Sequence, residues 1–588
     1  MEGRGMTAFH TQFGLNFTGE IVVDLFAGGG GASTGIEQAL GRPVDVAINH
    51  DPDAVSMHTL NHPHARHYLS DVYEVCPLEA TAGRPVGLLH ASPDCTHHSQ
   101  ARAGQPRSRK IRALAWVVIK WTGTLARHGR APRVITLENV EQMLQWGPLV
   151  AKRCASTGRV VKVDGSVAAP GERVPVAEQY LVPCIKRRGR NWAHFVSALR
   201  SLGYAVQWRA YAACLHGAAT LRKRLYLAAR RDDVPIRWPE PSHAAKPKRG
   251  QRKLSTAAEH IDWSIPCPSI FLDAEEGKAL GVRRPLAEKT LARLAKGIRK
   301  FVIDNPDPFI APDGAVGSLA AMAQNVTGID PREPLPTVLA GAARFAAVKC
   351  EVAPLITEHA NGSSQHNMPA SEPLRTICSE VKGGHFALAV AYLAQQNGGF
   401  NETPGHPLTK PMTTITNTGS QQQLVTASLM TLRKNCVGRE LTEPVPVITA
   451  GAEHHALVAC TLSSEVEAGA LRVAAFLTKY YGQGDGQDLR DPLHTITTKD
   501  RLALVTVAVR GTPYVIVDIG MRMLTPAELY AAQGFPKGYV FDRGHDGRTF
   551  SKKVQVRFVG NSVSPPPMRA LISALFAEEL QVQQRLLA

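Results

Sequence analysis

Cys95 has the most chemistry to offer, in Ser92-Pro93-Asp94-Cys95 after the apolar run Val86-Gly87-Leu88-Leu89-His90. A thiolate is a strong nucleophile, yet a lone cysteine is more often a small buried hydrophobe. Its neighbours decide between the two. A carboxylate such as Asp94 beside a thiol raises the thiol pKa and lowers the thiolate fraction. His97 and His98 follow and would offset that charge if protonated. Glu138 ends Val134-Ile135-Thr136-Leu137 and opens Glu138-Asn139-Val140, where it can pass a proton or cap a helix. Arg222 and Arg224, in Leu221-Arg222-Lys223-Arg224-Leu225-Tyr226, fall on one side of a strand and can stabilise a thiolate or a phosphate. Metal chemistry has thinner support. The ten cysteines include no Cys-x-x-Cys pair, which argues against a zinc ribbon and a disulfide framework. Adjacent histidines rarely face one ion. His58, His62, His64 and His67 have loosely metal-like spacing but read as a surface helix and loop, so no metal site is expected.

The elements that must position these side chains alternate strand and helix over the first ~240 residues, the pattern of a mainly parallel sheet with helices on both faces. Ile21-Val22-Val23-Asp24 is a strand running into Gly28-Gly29-Gly30-Gly31. Such a turn lets a ligand approach bare backbone, and the next helix offers free N–H groups. No Gly-Lys-Ser/Thr follows to mark a triphosphate site. Val44 to Ile48 is a second strand. Asn191 to Leu202 is a helix with Trp192, Phe195, Val196 and Leu199 on one face, and Gly203 ends it. The Gly/Val/Pro-rich stretch from Ser156 to Pro183 reads as a hairpin insertion.

From Trp238 onward Pro, Gly, Thr and His rise. Five related segments begin at Pro334, Pro373, Pro411, Pro444 and Pro492, at spacings of 39, 38, 33 and 48 residues. Periods in this range mark a repeated supersecondary unit, and β-branched runs with turn residues favour strands. Helices are expected again from Thr525 to Gln533, with Thr525 as N-cap, and from Pro567 to Leu580. The expected domains are a leader (1–20), a catalytic domain (21–240), an inserted β-rich module with five repeats (241–515) and a returning segment (516–588).

Sixty-seven Lys and Arg against fifty Asp and Glu leave +17, which suits a polyanionic partner. No run approaches the ~20 apolar residues of a membrane span, and Met1 to Gly19 has no secretory core, so a cytoplasmic protein without a membrane partner is expected.

In order and spacing, six segments resemble the DNA (cytosine-5) methyltransferases of bacterial and phage type. They are Asp24-Leu25-Phe26-Ala27-Gly28-Gly29-Gly30-Gly31, Ser92-Pro93-Asp94-Cys95, Glu138-Asn139-Val140, the Arg222 segment, Arg522-Met523-Leu524-Thr525-Pro526-Ala527-Glu528 with Gln533-Gly534-Phe535-Pro536, and Gly560-Asn561-Ser562-Val563. The resemblance implies a Rossmann-like fold dependent on S-adenosylmethionine (SAM) as cofactor. It implies methyl transfer to C5 of a cytosine flipped out of double-stranded DNA. Cys95 would attack C6, and Glu138 would hold N3 and the amino group, with Arg222 and Arg224 nearby. Phe26 would lie against the adenine, Gly28 and Gly30 would admit the methionine part, Asp71 would accept from the adenine amino group, and Asn561 would close over the methionine end. Three positions depart from the family: Asn49 replaces the acidic residue that takes the ribose hydroxyls, Asp94 a second proline, and Thr220 a glutamine. Weaker SAM binding, or help from Asp51, follows from the first. The loop from Thr96 to Lys110 is expected to close over the flipped base, the repeats to read sequence, and the C-terminal segment to return to the first domain. The protein is expected to be a monomer, with a cognate restriction endonuclease as an optional companion. Two rival readings are a tRNA cytosine-C5 methyltransferase, whose branch lacks the long middle module, and a catalytically silent DNA-binding relative.

Overall fold

The computed structural model describes residues 18–98, 105–322, 328–338, 340, 345–353, short segments between 357 and 509, and 512–587. The chain divides into two compact units. One comprises Met1–Ile261, Arg332–Ala343 and Leu524–Ala588, the other Asp262–Pro331 and Arg344–Met523.

Hydrophobic alternation builds the first unit. Its strands are β1 (Ile21–Leu25), β2 (Val46–Asn49), β3 (Arg66–Leu69), β4 (Val86–Ala91), β5 (Val134–Asn139), β6 (Leu149–Ala151), β7 (Leu181–Pro183), β8 (Ala205–Ala212) and β9 (Lys223–Arg230). Its helices in the same span are α1 (Gly31–Leu40), α2 (Pro52–Asn61), α3 (Pro77–Ala80), α4 (Arg109–Arg112), α5 (Trp116–Arg127) and α6 (Arg190–Ser201). Seven strands form one sheet in the order β3-β2-β1-β4-β5-β9-β8. The first five run parallel, while β9 and β8 pair antiparallel. Ile21, Val23 and Leu25 point to one face and pack with Trp121 and Leu125 of α5 and Phe195 and Leu199 of α6. Val22 points the other way, to Ile36 and Leu40 of α1 and to Met568, Leu571 and Ile572 of helix Pro565–Leu575. Each such side chain contributes roughly 1.5–3 kcal/mol when fully buried. The mainly parallel sheet with helices on both faces is therefore as expected. Its strand order reverses between β1 and β4, which opens a crevice at their carboxyl ends.

Smaller expectations fare unevenly. The amphipathic helix appears as α6, with Trp192, Phe195, Val196 and Leu199 buried. The hairpin insertion appears as the antiparallel pair β6–β7, with further bridges such as Arg153 to Val160 and Lys162 to Gln179. Thr525 caps helix Pro526–Ala532 in a reciprocal box with Glu528. The single helix expected from Pro567 to Leu580 is two, Pro565–Leu575 and Ala577–Leu587. The break falls at Phe576, whose side chain turns into the second core.

Of the four clustered histidines His64 is exposed, as expected, but His58 and His62 are not surface residues. His58 and His62 are buried under the glycine loop. Ser33 Oγ donates to Asp24 Oδ2 at 2.7 Å and lies 2.9 Å from His58 Nε2, whose other nitrogen is 2.8 Å from His67 Nε2. His62 Nδ1 pairs with Glu37 Oε2 at 2.8 Å. These ring nitrogens are committed to one another and to α1. Burial holds His58 well below the usual imidazole range and His67 at about 4.

The second unit is β-rich among its described residues. An antiparallel sheet runs in the order Phe309–Ile310, Val316–Ala321, Phe345–Ala353, Thr512–Met523, Thr506–Val509. Helix Glu288–Ile298 buries Leu291, Leu294 and Ile298 against Val316, Val348, Ile516 and Ile519. Of the five repeats, the first belongs to the other unit. Leu335 N–H donates to the Ala219 carbonyl at 2.9 Å, and Leu221 N–H to the Leu335 carbonyl at 2.7 Å. The repeats beginning at Pro373, Pro411, Pro444 and Pro492 lie outside the described residues, as do residues 99–104 of the loop after Cys95. Among the described residues no helix is long and apolar enough to cross a membrane.

Candidate active site

Five strand ends and one late helix converge on a cavity of about 280 Å³. It is lined by Phe26, Ala27, Gly28 and Gly29 after β1, by Asn49, His50 and Asp51 after β2, and by Ser92, Pro93, Asp94 and Cys95 after β4. Glu138 at the end of β5, Arg222 just before β9, and Arg557, Phe558, Asn561, Ser562 and Val563 complete it. Of the ten expected site residues, Cys95, Glu138, Arg222, Phe26, Gly28, Asn49 and Asn561 line this cavity. Arg224, Gly30 and Asp71 do not. Arg224 lies behind Glu138, and Gly30 starts α1 at φ 87°. Asp71 caps its own turn by accepting from Tyr73 N–H at 3.0 Å.

The glycine loop follows from crowding. Gly28 has φ 53° and Gly30 φ 87°, a backbone region that disfavours side chains. A Cβ at Gly30 would meet Tyr539 and His62, and one at Gly31 would collide with Ser562 Oγ and the Val563 carbonyl. Phe26 itself adopts φ 65°, a strained state for a bulky residue and one that clusters at ligand sites. Tyr539 O–H donates to the Gly29 carbonyl and fixes the loop from below.

The Cys95 segment is tied to β5. Asn139 Nδ2 donates to the Pro93 carbonyl at 2.8 Å, and its Oδ1 accepts Val140 N–H. Asp94 does not aim at the thiol, because its Oδ1 accepts Thr96 N–H at 2.6 Å in an exposed turn. Burial pushes the Cys95 thiol up, Arg224 and Arg222 pull it down, and Glu138 and Asp94 add to the rise. The histidines do not offset Asp94. His97 Nδ1 accepts Ser108 N–H at 2.8 Å, and burial beside Arg112 holds His98 at about 3, so its ring stays neutral.

Glu138 Oε1 lies 3.1 Å from Arg224 Nε, an ion pair among largely buried side chains. The alignment falls short of a hydrogen bond, so both atoms keep an open valence. Arg222 donates from Nη1 to the Gly560 carbonyl at 3.0 Å and keeps a buried, unpartnered Nε. Burial and the neighbouring Arg224 push its guanidinium down to about 10, leaving it charged at neutral pH. Thr220, fully buried, accepts Arg222 N–H at 3.3 Å and reaches back to the first repeat at Pro336.

The opposite end of the cavity holds the substitution at Asn49. Asn49 Oδ1 accepts Asp51 N–H at 2.9 Å. Asp51 caps α2 through Asp53 and Ala54 and pairs with Arg557 at 2.9 Å. Arg557 is a lining residue that motif reading missed. Its place one turn before Asn561 on helix Lys552–Asn561 was the available signal. Among the described residues no group of three or more His, Cys, Asp or Glu could hold a metal ion. The bare backbone of the glycine loop, the aromatic Phe26 and the amides of Asn49 and Asn561 fit a nucleoside carrying an amino-acid tail.

Residues 21–147 and 184–266 match the family model of the C-5 cytosine-specific DNA methylases, with 148–183 between the two stretches unmatched. The type II methyltransferase M.Sau3AI of Staphylococcus aureus is 24% identical over 226 residues, 36% of this chain. The chain spans 44% of that relative's length. Similar solved structures include the Dnmt2 methyltransferase of S. pombe, with a TM-score of 0.40 at 11% identity over 95% of this chain and 99% of that one. The methyltransferase EhMeth of Entamoeba histolytica has a TM-score of 0.39 at 10% identity, with the same coverage. The glycine loop, Cys95 and Glu138 thus lie in stretches that are similar to the C-5 cytosine-specific DNA methylases.

Proposed function

We propose that this protein transfers a methyl group from SAM to C5 of a cytosine in duplex DNA. The observation that carries the reading is the cavity itself, whose lining brings Cys95, Glu138 and Arg222 together with Gly28, Asn49 and Asn561. Phe26, Gly28, Asn49 and Asn561 would hold SAM, with Gly30 shaping the loop; when bound, SAM supplies an electrophilic methyl group.

This chain's residues supply the rest. A base inside a stacked duplex cannot reach the cavity, so it must be flipped. Cys95 Sγ, as thiolate, forms a bond to C6 of the cytosine. The displaced electron pair moves toward N3, where Glu138 donates a proton through its open carboxyl oxygen. C5 becomes the nucleophilic carbon of an enamine, able to accept a methyl group. Loss of the C5 proton to solvent then expels the Cys95 thiolate, and return of the N3 proton to the Glu138 carboxylate restores the neutral aromatic ring. Arg222 and Arg224 stabilise the thiolate, and Arg224 also orients Glu138. Asp71, held in its own turn beside the sheet, would complete the adenine end.

Transfer of labelled methyl to duplex DNA, to unmodified tRNA and to no acceptor tests this, with Cys95→Ala in parallel. Label at cytosine C5 of the duplex, lost in Cys95→Ala, is the expected result. Label on tRNA alone moves the function to RNA. SAM binding without transfer to either makes the protein a binding module.

A further inference from the structure

The insertion between β6 and β7 interrupts the matched domain, and its charge is unevenly spread. Lys152 and Arg153 on the outgoing limb and Lys186, Arg187, Arg188 and Arg190 just past β7, where the matched stretch resumes, are all exposed. Neither 148–162 nor 183–190 contains an acidic residue; Asp164, Glu172 and Glu178 all lie farther out. Lys162 is neutralised by Glu172 at 2.5 Å, so the uncompensated charge gathers at the base of the insertion.

That base is built onto the loop leaving Cys95. His98 packs edge-on against Trp146, with ring centroids 5.8 Å apart. Arg112 donates to the His97 carbonyl at 3.0 Å and to the Gly147 carbonyl at 3.3 Å. Arg107 N–H donates to the Leu181 carbonyl of β7 at 2.9 Å. At Gly147 a Cβ would collide with the Arg187 carbonyl, so the chain just past β7 presses against the residue that the loop also touches. A base delivered to Cys95 stays attached to its strand, and its flanking phosphates remain at the mouth.

We infer that the basic base of the β6–β7 insertion docks the phosphate backbone of the duplex beside the flipped nucleotide, separately from any element that reads sequence. The inference rests on the proposed DNA reading. Phosphate contacts fix register and carry no sequence information, which suits a cluster of exposed lysines and arginines.

The test uses the full chain and a mixed-sequence duplex, with binding followed from 50 to 250 mM salt by fluorescence anisotropy. Each lost phosphate contact removes about 0.9 from the slope of log K against log salt. K186Q/R187Q/R188Q is expected to flatten the slope by about 2 to 3 and K152Q/R153Q by about 1 to 2. Arg173→Gln, farther out, is expected to leave it unchanged. SAM affinity and kcat at saturating DNA should match wild type, while KM for DNA rises at least fivefold. Slopes equal to wild type in both multiple variants overturn the docking surface, even if DNA is methylated. If wild type methylates no duplex yet the slopes still fall, the proposed reaction fails and the docking surface stands.

Discussion

The thiol of Cys95 is caught between burial, which disfavours its charged form, and two arginines, which favour it. Substitutions around it should therefore move the pH profile in opposite directions. Asp94→Asn removes a negative neighbour, lowers the thiol pKa and shifts the rising limb of kcat/KM to lower pH by less than about one unit. Arg224→Gln removes a positive one and shifts that limb to higher pH. Glu138→Gln retains shape but loses the proton, and kcat should fall roughly 10²- to 10⁴-fold with SAM binding intact. At the other end of the cavity, Asn49→Glu offers a charged acceptor to a ribose hydroxyl. A gain of about 1 kcal/mol, or roughly fivefold in SAM affinity by titration calorimetry, is expected. Cys95, Glu138 and Asn49 were legible because each ends an apolar strand in a recognisable short segment. Arg557 was not, because its meaning depends on Asp51, which only the fold brings near. The neutrality of His98 was equally hidden, since burial sets it.

Between residue and whole lies the junction of β1, the glycine loop and α1. Asp24, in the middle of β1, is fully buried, with one oxygen on Ser33 and the other unpartnered. Burial raises its carboxyl to about 7. A carboxyl with a folded pKa above its unfolded value binds more protons when folded, so stability declines as pH rises from about 4 to about 7 and then levels. Asp24→Asn should leave stability unchanged below pH 4 and raise it above pH 7, by about 4 kcal/mol, measurable by urea unfolding at both pH values. Elements with strong local codes were readable: α6 from its apolar stripe, and helix Pro526–Ala532 from its capping box. The break at Phe576 was not, because the periodicity continues through it and the turn is driven by core packing. His58 of α2 and His62 just after it misled for a related reason, as polar residues on or beside a helix read as solvent-facing unless their partners are known.

The parallel sheet could be read from strand–helix alternation, whereas the place of Arg332–Ala343 in the first unit could not, because that stretch shares the composition of the residues around it and only the fold sets it apart. Residues 18–261 expressed alone should bind no SAM, since Asn561 and Phe558 are missing from the cavity and Met568 and Leu571 from the core. Adding a 524–588 fragment should restore binding in part, which isothermal titration would detect. The same layout sets a clock on synthesis. Phe26 and Phe558 face one cavity but lie 532 residues apart, so at 5–20 residues per second the second arrives roughly half a minute to two minutes after the first. During that interval Ile36 and Leu40 of α1 await the helix that covers them, and the nascent chain depends on whatever shields apolar surface in the cell. Under the proposed function, cofactor binding is thus expected only once Phe558 and Asn561 have been made.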